Sequence, residues 1–203
     1  MDSVAPAAVA PLLRGRFGQP YRYAETCAST QHLLEEGDAE GAVAVAEEQT
    51  EGRGRLGRSW HAPAGTAVLV SVLLRPDVPA ARLPELSVVA GHAVAEALAA
   101  ETGVSATVKF PNDVLVGGRK VAGILAEASE GRVALGIGVN VNQTSEQLPA
   151  DAQMEPTSLL LETGREIDRA RLLAAVLEQL ERRYESWLRE VQSAAHVAGR
   201  VFR

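Results

Sequence analysis

The run AVLVSVLL at residues 67–74 constrains the fold of this chain more than any other segment. Because it is apolar at almost every position, it predicts a central strand that is buried on both faces. Small and β-branched residues at 42–46 predict a second buried strand, and residues 133–141 predict a further one. A sheet of this kind needs other elements to cover it.

Two helices are predicted from apolar side chains that recur at helical spacing. One lies between residues 83 and 100, and the other spans 173–188 with charged residues on its opposite face. A shorter helix is expected at 29–36, capped near Ser29 and ended by Gly37.

The pair Gly117-Gly118 predicts a tight turn between strands at 113–116 and 119–127. Short strands are also expected at 21–25 and 107–110. Because the strands are joined by hairpins with few long helices between them, we predict an α+β fold. Its mixed or antiparallel sheet should be covered by helices on one side.

The length of 203 residues fits one domain, which we place at residues 21–203, after a flexible N-terminal arm at residues 1–20. The single cysteine, Cys27, excludes an internal disulfide and fits a reducing compartment.

The N-terminus does not resemble a secretion signal, because Asp2 stands where such a signal would be basic. No window reaches the roughly 18 uninterrupted apolar residues of a membrane span. We therefore expect a cytoplasmic protein with no membrane partner. The net charge of −6 also argues against wholesale nucleic-acid binding.

The segment 49–60, here called the Gly/Arg loop, alternates arginines with glycines: Gly52, Arg53, Gly54, Arg55, Gly57 and Arg58. Glycine lets the backbone approach a ligand closely, and guanidinium groups bind carboxylate or phosphate oxygens in pairs. The loop therefore predicts an anion-binding site. The alternatives are a solvated basic hairpin tip and an RNA-contacting Arg/Gly segment.

The predicted hairpin places Asp113 opposite Ala122, and it places Asp113 and Lys120 on one face as diagonal neighbours. That spacing, about 7–8 Å between Cα atoms, suits two charges that converge on one ligand better than a direct ion pair. An exposed surface pair is an equally weighted alternative.

Four ordered segments closely resemble the signatures of biotin protein ligases. They are QTEGRGRLGRSW at 49–60, KFPND at 109–113, KVAGILAE at 120–127 and GIGVN at 136–140. Ser29-Thr30-Gln31 resembles the Ser-Thr-Asn of that family, and the likeness covers roughly residues 20–190. The resemblance implies a catalytic domain of the fold shared by class II aminoacyl-tRNA synthetases and biotin ligases.

The resemblance also implies a two-step acyl transfer. The biotin carboxylate would attack the α-phosphate of ATP, with Mg²⁺ present, to give biotinyl-5′-AMP and pyrophosphate. A lysine amine of a biotin carboxyl carrier domain would then take the biotinyl group and release AMP. A cationic loop fits this chemistry because the two anions repel each other until positive charge lies between them.

Roles transferred by motif position fall into three sets. Biotin would contact Ser29, Thr30, Gln31, Gln49, Arg53, Gly54, Arg55, Lys120 and Gly123. The nucleotide would contact Arg58, Trp60, Asn112 and Asn140, with Trp60 facing the adenine, although a core role for Trp60 is also open. Catalysis would rest on Lys120, Arg55 and Asp113, whereas no metal ligands are assigned. Gly123 and Gly138 would leave room for the ligand.

The chain departs from the family pattern at Gln31, usually asparagine, and at Phe110, usually tryptophan. We expect it to lack the N-terminal DNA-binding domain of the repressor members, and hence nucleic-acid binding, and most of the usual C-terminal domain. The resemblance allows a homodimer. A lipoyl or octanoyl acyltransferase of the same superfamily and a non-catalytic biotin- or anion-binding module remain alternative functions.

Overall fold

One mixed sheet organises the computed structural model, which describes residues 3–150 and 152–201. Within that part the sheet has seven strands: β1 (Tyr21–Cys27), β2 (Val43–Gln49), β3 (Ala67–Leu74), β4 (Thr107–Lys109), β5 (Asp113–Val116), β6 (Arg119–Ser129) and β7 (Arg132–Asn140). Their order across the sheet is β1-β2-β3-β7-β6-β5-β4. The β1–β2 pair is parallel and the other pairs are antiparallel, as the predicted mixed sheet requires.

The helices are α1 (Pro6–Val9), α2 (Glu85–Thr102), α3 (Leu159–Thr163) and α4 (Arg169–Val201). The long helices α2 and α4 pack together on one face of the sheet, where their apolar stripes join Val70 of β3 and Leu135 of β7 in the main core. By length and composition, α2 with the turn before it could cross a membrane. Its residues Leu86, Val94 and Leu98 are nevertheless fully buried in the core, so we interpret α2 as a core helix.

The opposite face of the sheet, here called the site face, has no long helix over it among the described residues. Alternation along each strand divides the residues between the two faces. In β7, Val133, Leu135, Ile137 and Val139 point into the helix-covered core, and the residues between them point to the site face. Strand β3 is buried on both faces, as predicted, because the segments after β1 and β2 together cover its second side.

A β-bulge corrects the predicted register of the β5–β6 hairpin. Leu115 pairs with Lys120 as expected, but Asp113 pairs with Gly123 instead of Ala122, because one extra residue enters β6 near Val121. The extra residue shifts the alternation by one position. Lys120 therefore lies on the site face together with Gly123, although three positions separate them.

The structure describes residues 3–20 of the predicted flexible arm, and these residues pack against the domain. Residues 3–20 carry helix α1, and the side chains of Val4, Val9 and Phe17 are buried in the main core. The backbone N–H of Val4 also donates to Glu47 Oε1 at 3.2 Å. This segment packs against the domain because its apolar residues cover the helix side. Residues 1, 2, 151, 202 and 203 of the predicted arm and domain lie outside the described residues.

The segment after β1 forms a short 3₁₀ turn, Thr30–Leu33, where a longer capped helix is predicted. Ser29 makes no side-chain cap there. Asp38 stabilises the end of the segment instead, because its carboxylate accepts from the Glu35 N–H at 2.8 Å and from two nitrogens of Arg22. The Arg22 guanidinium lowers the pKa of the Asp38 carboxyl from its usual value.

Arg169, at the start of α4, is 1% exposed and donates to Glu47 Oε2 at 2.7 Å and to the Ala67 carbonyl at 3.1 Å. Removing one partner of a buried pair leaves the other charge uncompensated, so Arg169→Met should lower the free energy of unfolding by about 3–5 kcal/mol. Urea unfolding followed by circular dichroism measures this change. Arg171→Met is the control, because that exposed side chain reaches Asp168 only at 3.7 Å. Equal losses for the two variants would contradict the predicted role of the buried pair.

Candidate functional site

The floor of the candidate site consists of small residues on the site face of three neighbouring strands. Gly123 of β6 pairs with Gly138 of β7, and Gly136 of β7 pairs with Ser71 of β3. Because the glycines have no side chains, the sheet has a shallow depression here. Larger side chains from the surrounding loops can therefore lie directly on its backbone.

Trp60 uses this space. A Cβ atom built on Gly138 would lie 2.5 Å from Trp60 Cε2, and one built on Gly123 would lie 2.9 Å from Trp60 Cζ3. The indole also packs with Ala62, Ala67 and Leu69. The two glycines, expected to leave room for a ligand, therefore first leave room for the indole. Its exposed part forms one wall of the site.

A buried polar cluster lies at the other side of the floor. The side chain of Gln49 accepts through Oε1 from the Thr30 N–H at 2.8 Å and from the Thr30 hydroxyl at 3.1 Å. The Thr30 hydroxyl lies 2.7 Å from the Ser71 hydroxyl, and Ser29 and Thr30 are almost fully buried. Ser71 has no role in the sequence-based site. It could have been found as the one polar residue of the apolar run 67–74.

Gln31 and Arg53 form a second polar group. The Gln31 amide donates through Nε2 to the carbonyls of Leu125 and Ala134, at 3.2 and 3.3 Å, so it is fixed to both β6 and β7. Its Oε1 accepts from Arg53 Nη2 at 3.3 Å, and the same nitrogen donates to Glu127 Oε2 at 2.9 Å. Glu127, like Ser71, has no role in the sequence-based site.

The tip of the Gly/Arg loop turns back at residues 55–57. The Gly54 N–H donates to the Arg58 carbonyl at 2.7 Å, which closes the tip. Arg55 reaches Asn112 Oδ1 at 3.4 Å, and Arg58 reaches Gln153 Oε1 at 2.9 Å. Both guanidinium groups are exposed, so they face solvent above the site.

Lys120 and Asp113 form a direct ion pair, with Nζ 2.6 Å from Oδ1. The sequence-based preference for two separated charges is therefore wrong for this structure, although both residues share one face as predicted. Exposures of 22% and 17% also exclude the exposed surface pair. Lys120 Nζ lies 5.7 Å from the Trp60 ring centroid, within cation–π distance. The ammonium thus sits between the carboxylate and the indole.

The two asparagines tie the walls of the site to the sheet. Asn112 donates to the Ile124 carbonyl at 3.1 Å and accepts from Arg55. Asn140 is buried, donates to the Thr157 carbonyl at 3.0 Å and accepts from Gln143 at 3.1 Å. Asn112 lies close to the loop tip, whereas the Asn140 amide is used for contacts within the protein.

The arrangement is suited to binding anions between cations and a flat aromatic wall. Arg53, Arg55, Arg58 and Lys120 approach the site from two sides, and backbone and hydroxyl groups line its floor. Cys27 does not add a nucleophile, since burial raises the pKa of its thiol and so disfavours the thiolate. In the described ranges no group of three or more His, Cys, Asp or Glu side chains could hold a metal ion.

Comparisons with known proteins show which family the chain is similar to. Residues 23–143 match the model of the biotin/lipoate A/B protein ligase family. The chain is 40% identical over 180 residues to the bifunctional ligase/repressor BirA of Bacillus spizizenii, which covers 84% of this chain and 55% of that protein. It is 44% identical over 158 residues to the biotin–[acetyl-CoA-carboxylase] ligase of Mycobacterium tuberculosis, with coverages of 74% and 56%. The chain thus spans about half the length of these curated relatives.

Among solved structures, the biotin protein ligase from Aquifex aeolicus in complex with biotin and ATP matches with a TM-score of 0.75 and 36% identity. The match covers 82% of this chain and 71% of that one. The predicted fold class, including its likeness to biotin ligases, is confirmed.

A methyl group at Gly138 should push the indole off the floor of the site. Gly138→Ala is therefore expected to expose Trp60 and shift its fluorescence emission to the red, while the far-UV circular dichroism stays that of the wild type. The measurement is made in a Trp187→Phe background, because the chain has two tryptophans. Gly37→Ala serves as the control, since a Cβ there meets nothing within 4 Å. Unchanged emission in Gly138→Ala would show that the indole does not rest on this glycine.

Proposed function

The chain belongs to the biotin/lipoate A/B protein ligase family, and from this we propose that it is an ATP-dependent biotin protein ligase. It would activate biotin to biotinyl-5′-AMP and transfer the biotinyl group to a lysine of a biotin carboxyl carrier domain. The observation that carries the proposal is the set of four cations around the glycine floor, with Arg53 and Lys120 beside it and Arg55 and Arg58 exposed above it. Two similar proteins named as biotin ligases, one of them in complex with biotin and ATP, support the choice of substrates.

In the first step the residues of this site would bring two anions together. The ureido ring of biotin would face the polar cluster of Ser29, Thr30 and Gln49, as the position of that cluster on the floor suggests. Its carboxylate would then point toward Arg53, Arg55 and Lys120. Cations placed around the carboxylate and the α-phosphate reduce their repulsion and stabilise the charge that develops as the carboxylate oxygen bonds to the α-phosphorus, the bond between the α- and β-phosphates breaks and pyrophosphate leaves.

In the second step an acceptor lysine amine attacks the acyl carbon, and AMP leaves. The amine must lose a proton, and Asp113 is the nearest carboxylate to Lys120. We assign Asp113 to orienting the amine or taking its proton. The Gly/Arg loop would keep water from hydrolysing the mixed anhydride before the acceptor arrives.

The nucleotide would lie toward the loop tip. Trp60 offers a flat face for the adenine, Arg58 a charge for the pyrophosphate, and Asn112 and Asn140 the neighbouring walls. Because the described residues supply no cluster of metal ligands, Mg²⁺ would be held mainly by the phosphates of ATP and by water, as is usual for this ion. We expect the protein to act in the cytoplasm, with no nucleic-acid partner. A homodimer is part of the same proposal.

One assay separates the candidate functions. The chain is incubated with a carrier domain, ATP, Mg²⁺ and biotin, and the acceptor is examined by mass spectrometry. We expect one biotinyl group on one lysine. A lipoyl adduct formed from lipoate instead would identify an acyltransferase of the same superfamily. Biotin binding without any adduct would identify a non-catalytic binding module.

The chain has two lysines, so the role of Lys120 can be tested against a natural control. Lys120→Gln should slow biotin-dependent pyrophosphate release by about 100-fold or more, because a cation aimed at the developing charge is lost. Lys109→Gln should slow the reaction much less, because Lys109 pairs with Asp113 across β4 and β5 but its side chain is exposed, whereas Lys120 holds the ion pair with Asp113. Thermal melting of both variants reports on the fold. A wild-type rate in Lys120→Gln would refute the assignment.

A further inference from the structure

Glu127 closes the motif that begins at Lys120, yet the proposed reaction gives it no role. It lies near the end of β6, on the same face as Gly123 and Leu125, because alternate residues of a strand share a face. Its carboxylate accepts from Arg53 at 2.9 Å. Glu127 is thus an anion placed beside the loop that should bind an anionic substrate.

One nitrogen of the Arg53 guanidinium, Nη2, makes hydrogen bonds to both Gln31 and Glu127. In the part of the chain that the structure describes, its side-chain contacts to Gln31, His32 and Glu127 all use Nη2. Gln31 is itself fixed to the carbonyls of Leu125 and Ala134, so the position of Nη2 is set relative to the sheet. Room for the Gln31 amide comes from Gly136, where an added Cβ would lie 3.2 Å from Gln31 Nε2.

A guanidinium carries five N–H donors in a rigid plane. Both paired donor edges of a guanidinium include Nη2, so the contacts of Nη2 to Gln31 and Glu127 leave Nε–H and the two N–H groups of Nη1 as single donors for a ligand. Arg53 sits on a loop, and its side chain is 46% exposed, so without these contacts many rotamers would compete with the one that faces the site.

We propose that Glu127 is a positioning residue that orients Arg53 toward the carboxylate of the substrate. The inference rests on the proposed function, because it takes biotin as the carboxylate that Arg53 meets. Glu127 would act in binding rather than in bond formation, since its own contact is with Arg53. Its effect should therefore be seen in the affinity for biotin.

The test compares Glu127→Gln with the wild type, using calorimetry for biotin binding without ATP and pyrophosphate release for turnover. Loss of the charge of a partly exposed pair should raise the Kd and the KM for biotin about fivefold. The kcat should stay within about twofold of wild type, because the lost interaction would weaken the binding of the bound substrate and of the transition state equally. Glu130→Gln is the matched control, an exposed glutamate in the turn that follows β6, and it should change neither value.

A second comparison distinguishes positioning from a structural effect. In an Arg53→Ala background, Glu127→Gln should cause no further loss of biotin affinity, because residues that act through one another are not additive. The same fivefold loss in both backgrounds, or wild-type affinity in Glu127→Gln, would overturn the inference while leaving the proposed function intact. A wild-type chain that binds no biotin would overturn both.

Discussion

The absence of side chains at three positions of the sheet determines the rest of the candidate site. Gly123, Gly136 and Gly138 lower the site face where β6 and β7 pair, and two loop side chains lie on the exposed backbone. Trp60 rests on two of these glycines and Gln31 on the third. The Gly/Arg loop therefore rests on the sheet directly through Trp60, and its Arg53 is tied to the sheet through Gln31 of the preceding turn. A methyl group at the floor would move Trp60 or Gln31 and, with it, the loop that carries the arginines.

The architecture could be predicted from the sequence because its signals are local. The apolar run at 67–74 and the helical spacing in α2 and α4 each reflect burial of a whole face, which periodicity records directly. The packing of residues 3–20 could not be predicted in the same way. Val4, Val9 and Phe17 are buried without any regular spacing, so their role depends on a surface that forms only when the helices have packed.

In the site too, residues marked by local sequence motifs could be predicted, whereas features that depend on residues distant in sequence could not. Motif positions assigned the cations and Trp60 to one ligand, but the β-bulge near Val121, which brings Gly123 instead of Ala122 to the face of Asp113 and Lys120, has no marker in the hydrophobic pattern. Ser71 and Glu127 were missed because their partners, Thr30 and Arg53, are distant in sequence. Ser71 lies between the apolar Leu69 and Leu73 on its face of β3, and Glu127 follows Gly123 and Leu125 on its face of β6. A polar residue after small or apolar ones on the same face is the signal that could have identified them.

Each cation of the candidate site is already bonded within the described part of the chain. The four pairs are Arg53–Glu127, Lys120–Asp113, Arg55–Asn112 and Arg58–Gln153. Two partners are carboxylates and two are neutral amides, and a pair of opposite charges is held more strongly than a cation bonded to a neutral amide. An incoming anion therefore displaces the amides of Arg55 and Arg58 more easily than the carboxylate of Lys120, whose pair is also less exposed than that of Arg53. Phosphate oxygens would meet the loop tip first, and Lys120 would leave Asp113 only for a ligand that brings charge to the floor itself. In the proposed reaction, this exchange would free the Asp113 carboxylate at the point where the acceptor amine loses its proton.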